Sequence, residues 1–145
     1  MYNIMVIDDF ENLSNLIVKL LELDGMTAYP FSNPAEAIGF YAMHHDEIDL
    51  VVTDYSLGYK DQLGDYVDGD SIAMTMRNID RENHTKFLLL TGSMDTKTLK
   101  YVSNLEIFDV IIDKGIMSNL QGAIRELFNN TQKDNKDKVE EYAYV

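Results

Sequence analysis

The stretch Ile4-Met5-Val6-Ile7-Asp8-Asp9 sets four apolar residues directly against two acids. The apolar run is too short for a helix and does not alternate with polar residues. That is how a strand buried on both faces reads. Three runs of the same kind follow: Leu50-Val51-Val52, Phe87-Leu88-Leu89-Leu90 and Val110-Ile111-Ile112. A weaker candidate, Met26-Thr27-Ala28-Tyr29, comes just after Asp24-Gly25.

Helical patterns fill the intervals. Leu13, Leu16, Ile17 and Leu20 recur at helical spacing, and Asn33-Pro34-Ala35-Glu36 has the cap, N1 proline and early acid of a helix start. Ile72, Ala73, Met76 and Ile79 mark a third stripe; Leu99, Val102 and Leu105 a fourth; Ile116, Leu120, Ala123, Ile124 and Leu127 a fifth. Strand and helix therefore alternate five times, which predicts an α/β fold built on a parallel sheet with helices on both faces. One connection is long. Residues 55–68, YSLGYKDQLGDYVD, separate the third strand from its helix, whereas such loops usually run ~2–6 residues. They read as a solvated insertion, with a partner-docking or lid segment as the sharper alternative. They do not meet the spacing of a calcium loop.

Composition narrows the class. The 145 residues carry 25 Asp and Glu against 12 Lys and Arg, a formal net charge of -13. Residues 1–70 contribute -12 of this and residues 71–145 only -1. Such a surplus disfavours nucleic acid and anionic membrane surfaces as partners. No run is long enough for a membrane span, and the N-terminus lacks the basic region of a signal peptide. With no cysteine, disulfides, thiol catalysis and Cys-based zinc sites are excluded. The cytoplasm is the expected location. One domain over residues 1–129 and a polar tail over 130–145 are expected, because helical periodicity stops near residue 129.

Ligands of an open parallel sheet bind beyond the carboxyl ends of its strands. The first strand ends in Asp8-Asp9, the third in Asp54, the fourth in Thr91-Gly92 and the fifth in Asp113-Lys114. Three carboxylates in one pocket repel one another, so either some stay protonated or a cation joins them. Hard oxygen ligands without His or Cys suit Mg²⁺. A lysine and a hydroxyl facing that ion would hold a doubly charged oxyanion, and a carboxylate can act as nucleophile towards phosphorus. Asp54, single and central, is the best candidate.

This set resembles the response-regulator receiver domains of two-component signalling. An acidic pair, an Asp, a Thr and a Lys follow strands one, three, four and five, and the resemblance spans about residues 2–128. It implies a flavodoxin-like (βα)5 fold with a five-stranded parallel sheet in the order 2-1-3-4-5. It implies that Asp54 takes a phosphoryl group from phosphohistidine. Asp9, Asp54 and the Ser56 carbonyl would hold Mg²⁺ directly, and Asp8 mainly through water. Thr91 would bond the phosphoryl oxygen and Lys114 would pair with the acyl phosphate. Ser56 and Ser93 occupy positions that tune dephosphorylation. The implied protein is a phosphoacceptor able to lose its own phosphoryl group, not a turnover enzyme. Its implied partners are a sensor histidine kinase or phosphotransfer protein and a downstream protein target, with residues 95–128 as the face the family commonly uses for output and homodimer contacts.

Three positions depart from the family pattern. Ile111 stands where Tyr or Phe is usual, Gly115 replaces the proline after the lysine, and Gly58 replaces another proline in the long loop. Ile111, Gly115 and the long loop motivate a second reading, a receiver-like interaction module that works without phosphorylation. A third, a small α/β enzyme, fares worse. Ser56 stands where a dehalogenase-like phosphatase needs a second Asp, Asp8-Asp9 would repel a flavin phosphate, and no GxGxxG or P-loop is present.

Overall fold

The computed structural model describes residues 1–92 and 94–129. Ser93 and the expected tail 130–145 lie outside the described residues, as does the side chain of Ile116. The elements run β1 (Asn3–Ile7), α1 (Glu11–Leu23), β2 (Thr27–Phe31), α2 (Pro34–His44), β3 (Leu50–Asp54), β4 (Tyr59–Lys60), β5 (Tyr66–Val67), α3 (Gly69–Ile79), β6 (Lys86–Thr91), α4 (Thr96–Asn104), β7 (Val110–Asp113) and α5 (Leu120–Asn129). Five strands form a parallel sheet ordered β2-β1-β3-β6-β7. Setting aside the short β4–β5 pair, this is the order 2-1-3-4-5.

Alternation along the strands divides the core into two layers. Met5, Ile7, Val51, Phe87, Leu89 and Ile111 pack with residues of α2, α3 and α4. Ile4, Val6, Val52, Leu88, Leu90 and Ile112 pack with residues of α1 and α5. Both layers are apolar, so the strands read as unbroken hydrophobic runs. Each large side chain fully removed from water contributes ~1.5–3 kcal/mol. β2 pairs only with β1, and this edge position is why it accommodates Pro30 opposite Val6.

Helix α2 starts as its sequence predicts. Asn33 Oδ1 accepts hydrogen bonds from the N–H groups of Ala35 (2.8 Å) and Glu36 (3.2 Å), with Pro34 as first helical residue. Helix α1 corrects an expectation. Its inward positions are Ser14, Ile17 and Leu21, while Leu16 is 50% exposed. Its sequence carries two overlapping apolar stripes, and the one centred on Ile17 and Leu21 meets the sheet.

Two further differences concern connections. The long loop is not structureless, because β4 and β5 form an antiparallel hairpin, Tyr59 opposite Val67 and Lys60 opposite Tyr66. Its tip is closed by Asp61, whose Oδ1 accepts from the N–H groups of Leu63 (2.9 Å) and Asp65 (3.0 Å). The fifth helix is preceded by a 3-10 stretch, Lys114–Asn119, and turns α-helical only at Leu120.

Opposite the carboxyl edge, a buried polar network ties α2 to the start of β6. The Tyr41 hydroxyl donates to Thr85 Oγ1 (2.8 Å), which donates to the Ile48 carbonyl (2.8 Å). The Thr85 N–H donates to Asp80 Oδ2 (3.0 Å). Burial is the main cause pushing the Tyr41 phenol up to about 12, which keeps it a neutral donor. Thr85→Val keeps the shape but leaves the Tyr41 hydroxyl and the Ile48 carbonyl unpaired. With ~1–3 kcal/mol for each such group, urea unfolding should register a loss of about 3 kcal/mol.

Candidate functional site

Strand register gathers the expected residues at one height. Ile7 pairs with Thr53, so Asp8 lies level with Asp54. Asp54 pairs with Leu90, which places Thr91 one step further along. Thr91 pairs with Asp113, and Lys114 follows it. Asp8, Asp54 and Thr91 are buried at 2%, 8% and 8% exposure, while Asp9 is exposed. Asp8 and Asp54 are thus largely out of bulk solvent, and Asp54 opens on a cleft.

Lys114 closes that arrangement. Its Nζ lies 3.0 Å from Asp54 Oδ2 and 3.1 Å from Asp8 Oδ2. The other oxygen of each acid takes a backbone donor: the Tyr55 N–H donates to Asp54 Oδ1 (2.8 Å) and the Phe10 N–H to Asp8 Oδ1 (2.9 Å). Both carboxylates are thus held at two points, leaving little rotameric freedom. Burial pushes the Asp54 carboxyl above its ordinary value; Lys114 and the Tyr55 N–H pull it down, and the Asp8 charge adds to the rise. For Lys114, burial acts to lower the ammonium, but the hydrogen bonds and charges of Asp54 and Asp8 outweigh it and leave it raised. Three acid side chains share the site with one lysine, so acidic groups are in excess there.

One carboxylate oxygen from each of Asp8, Asp9 and Asp54 lies within 4.8 Å of the other two. An all-oxygen, anionic donor set of this compactness fits a small hard divalent cation. Asp54, Ser56, Thr91, Gly92 and Lys114 line a cleft of about 360 Å³. Of the expected set, Asp8 and Asp9 sit beside the cleft within the acidic cluster, and Ser93 lies outside the described residues.

Sequence reading missed the far wall of the cleft, formed by Tyr55, Met94, Asp95 and Thr98. Asp95 caps α4, its Oδ1 accepting from the Thr98 N–H (2.7 Å), and that bond holds its carboxyl below its ordinary value. The signal available was Asp95 preceding Thr98 by three residues at a helix start. Of the departures, Ile111 is 1% exposed within the core layer shared with α4. The Gly115 N–H donates to Asp113 Oδ1 (2.7 Å), which turns the chain into the 3-10 stretch.

No family model matches the sequence, and no curated protein is similar to it by sequence. Solved structures do match. A response regulator receiver domain protein from Clostridium thermocellum superposes with a TM-score of 0.76 at 24% identity, over 91% of this chain and 98% of that one. A two-component response regulator from Clostridium difficile gives 0.73 at 18% identity, over 92% and 100%. The fold is that of a response-regulator receiver domain. The response regulator protein TrrA from Thermotoga maritima, solved in complex with Mg(2+)-BeF, gives 0.67 at 22% identity, over 88% of this chain and 99% of that one. The receiver fold explains the sheet order and the placement of the acidic cluster at the carboxyl edge, between β1 and β3. In this chain the β4–β5 hairpin lies between β3 and α3. Among the described residues, no helix is long and apolar enough to cross a membrane.

Proposed function

We propose that this chain is a phosphoacceptor of a two-component or phosphorelay system, with Asp54 as the residue phosphorylated. The observation that carries the reading is the convergence of Asp8, Asp9 and Asp54 with Lys114, whose Nζ lies 3.0 Å from Asp54 Oδ2. A carboxylate oxygen of Asp54 attacks the phosphorus of a phosphohistidine. The P–N bond breaks, and the leaving imidazole keeps the bond's electron pair and takes up a proton. Lys114 offsets negative charge on the incoming phosphoryl oxygens, and Thr91 supplies a hydroxyl at the cleft wall.

Asp9, Asp54 and the Ser56 carbonyl would hold Mg²⁺ directly, with Asp8 acting mainly through water. When bound, that ion neutralises carboxylate and phosphoryl charge. The Mg(2+)-BeF complex of the similar Thermotoga maritima protein supports the choice of metal. The same reading makes the protein a phosphoacceptor that can lose its own phosphoryl group, located in the cytoplasm. A sensor histidine kinase or phosphotransfer protein acts upstream, and a protein target downstream. Residues 1–129 form the receiver unit and 130–145 a polar tail.

The test is incubation of the protein with a small phosphodonor such as acetyl phosphate, with and without Mg²⁺. Intact-mass measurement should find one added phosphoryl group only when Mg²⁺ is present. No adduct under any donor would sink the reading. Ile111 in the core, Gly115 after the lysine and the hairpin beside the site favour a second reading, an interaction module indifferent to phosphorylation. Partner affinity that is equal for wild type and Asp54→Asn, with and without donor, would select it.

A further inference from the structure

Residues 55–68 leave the site and return to it. Leu57 is 2% exposed and sits in the core layer with Ile72 and Ala73 of α3. Gly58, at φ +63, passes over Asp9, and a Cβ there would lie 3.4 Å from Asp9 Oδ2. The hairpin then closes on itself, and the chain comes back at Gly69, the first residue of α3. The Gly69 N–H donates to the Tyr55 carbonyl (2.7 Å). A Cβ at Gly69 would overlap the Asp54 carbonyl oxygen and stand 3.0 Å from its carbon and 3.1 Å from the Tyr55 Cα. These are backbone atoms, and no side-chain rotation relieves the clash.

We infer that Gly69 is a positioning residue for Asp54, acting through the Asp54–Tyr55 peptide, and that this makes the start of α3 part of the site's supporting frame. The inference rests on the phosphoacceptor reading. The path is short and physical. Gly69 lies against the Asp54 carbonyl and bonds the Tyr55 carbonyl. The amide of the same Asp54–Tyr55 peptide donates to Asp54 Oδ1, the carboxylate oxygen not taken by Lys114. Displacing that peptide re-aims the carboxylate while Lys114 and Asp8 stay where β7 and β1 hold them. Only glycine permits the approach. The chain that leaves at Tyr55 is thus fixed back to the site on its return, through the Gly69 N–H to Tyr55 carbonyl bond.

The test compares Gly69→Ala with two controls. Gly122→Ala adds a methyl on α5 where nothing lies within 4 Å. Thr85→Val destabilises the opposite end of the molecule. Mg²⁺ affinity is read by calorimetry and phosphoryl uptake by intact mass, both at a temperature where every variant is folded. Outer-shell partners of a metal site are typically worth 10–100-fold. Gly69→Ala should therefore lose about 10-fold or more in both readouts, while both controls stay within about twofold of wild type. Equal losses in Thr85→Val would mean a general stability effect and overturn the inference, as would wild-type values in Gly69→Ala.

If Gly69→Ala does not fold, wild-type amide exchange decides. Exchange at the Gly69 amide should slow when Mg²⁺ binds, while the Asp80 amide, which donates to Met76 at the far end of α3, stays unchanged. An unresponsive Gly69 amide overturns the inference. Absence of phosphoryl uptake by wild type would instead sink the phosphoacceptor reading, leaving the Mg²⁺ affinities to judge Gly69.

Discussion

Asp54→Asn should lose the Mg²⁺-dependent phosphoryl adduct entirely while remaining folded. The amide keeps the shape of the carboxylate and can still accept the Tyr55 N–H through its oxygen, so the backbone of β3 has no reason to move. What disappears is the nucleophilic oxygen anion, for which an amide is no substitute. The variant should also be at least as stable as wild type in Mg²⁺-free buffer near neutral pH. Burial is the largest influence on Asp54 and it raises the carboxyl, so the folded protein resists ionisation there. An acid raised by folding loses stability for the protein as pH climbs from its unfolded value through its folded one. A neutral amide escapes that loss. Intact mass and thermal unfolding of the same sample check both halves. An adduct that persists in Asp54→Asn would move the acceptor to Asp8, Asp9 or a histidine and overturn the assignment.

Lys114→Met should cost about 3 kcal/mol in Mg²⁺-free buffer near neutral pH, by the magnitude for removing one partner of a buried ionic group. The Lys114 side chain is 23% exposed, against 3% for Asp8 and 10% for Asp54. Its removal leaves two buried carboxylates facing each other with no cation between them. The effect should depend on pH in a definite direction. The stabilisation is present while the acids are ionised and Lys114 is protonated. It is lost as pH falls through the Asp54 value, which burial raises, and again as pH rises through the Lys114 value, which its two acid partners raise. Urea unfolding of wild type and variant across the acid and neutral range should therefore converge at low pH. A gap that stays constant into acid would mean that Lys114 contributes through packing alone. Saturating Mg²⁺ should also narrow the gap near neutral pH, because a second cation then answers the same carboxylates.

The gathering of the candidate residues at one sheet edge was legible because strand ends are legible. Four apolar runs each end in a polar residue, and parallel register puts those ends side by side whatever the helices do. Asp8, Asp9, Asp54, Thr91 and Lys114 needed only that one geometric fact. The phase of α1 was not legible. Leu13, Leu16, Ile17 and Leu20 make one stripe, and Ile17 with Leu21 belongs equally to another, so periodicity alone does not choose. Packing against the sheet chose Ser14, Ile17 and Leu21, and left Leu16 half in water. The hairpin was hidden for a different reason. Its strands are two residues each, too short to carry a period, and its closure depends on Asp61 bonding to its own turn.

The sequence by itself determined the α/β alternation and the residue types that end each strand, because burial on both faces leaves an unmistakable run of apolar residues. Only the tertiary structure decided that Lys114 spans Asp8 and Asp54, that Asp95 and Tyr55 wall the cleft, and that Gly69 rests on the Asp54 carbonyl. Those are contacts between elements distant in the chain. Their distances follow from how helices seat on the sheet, which no local pattern of residues encodes.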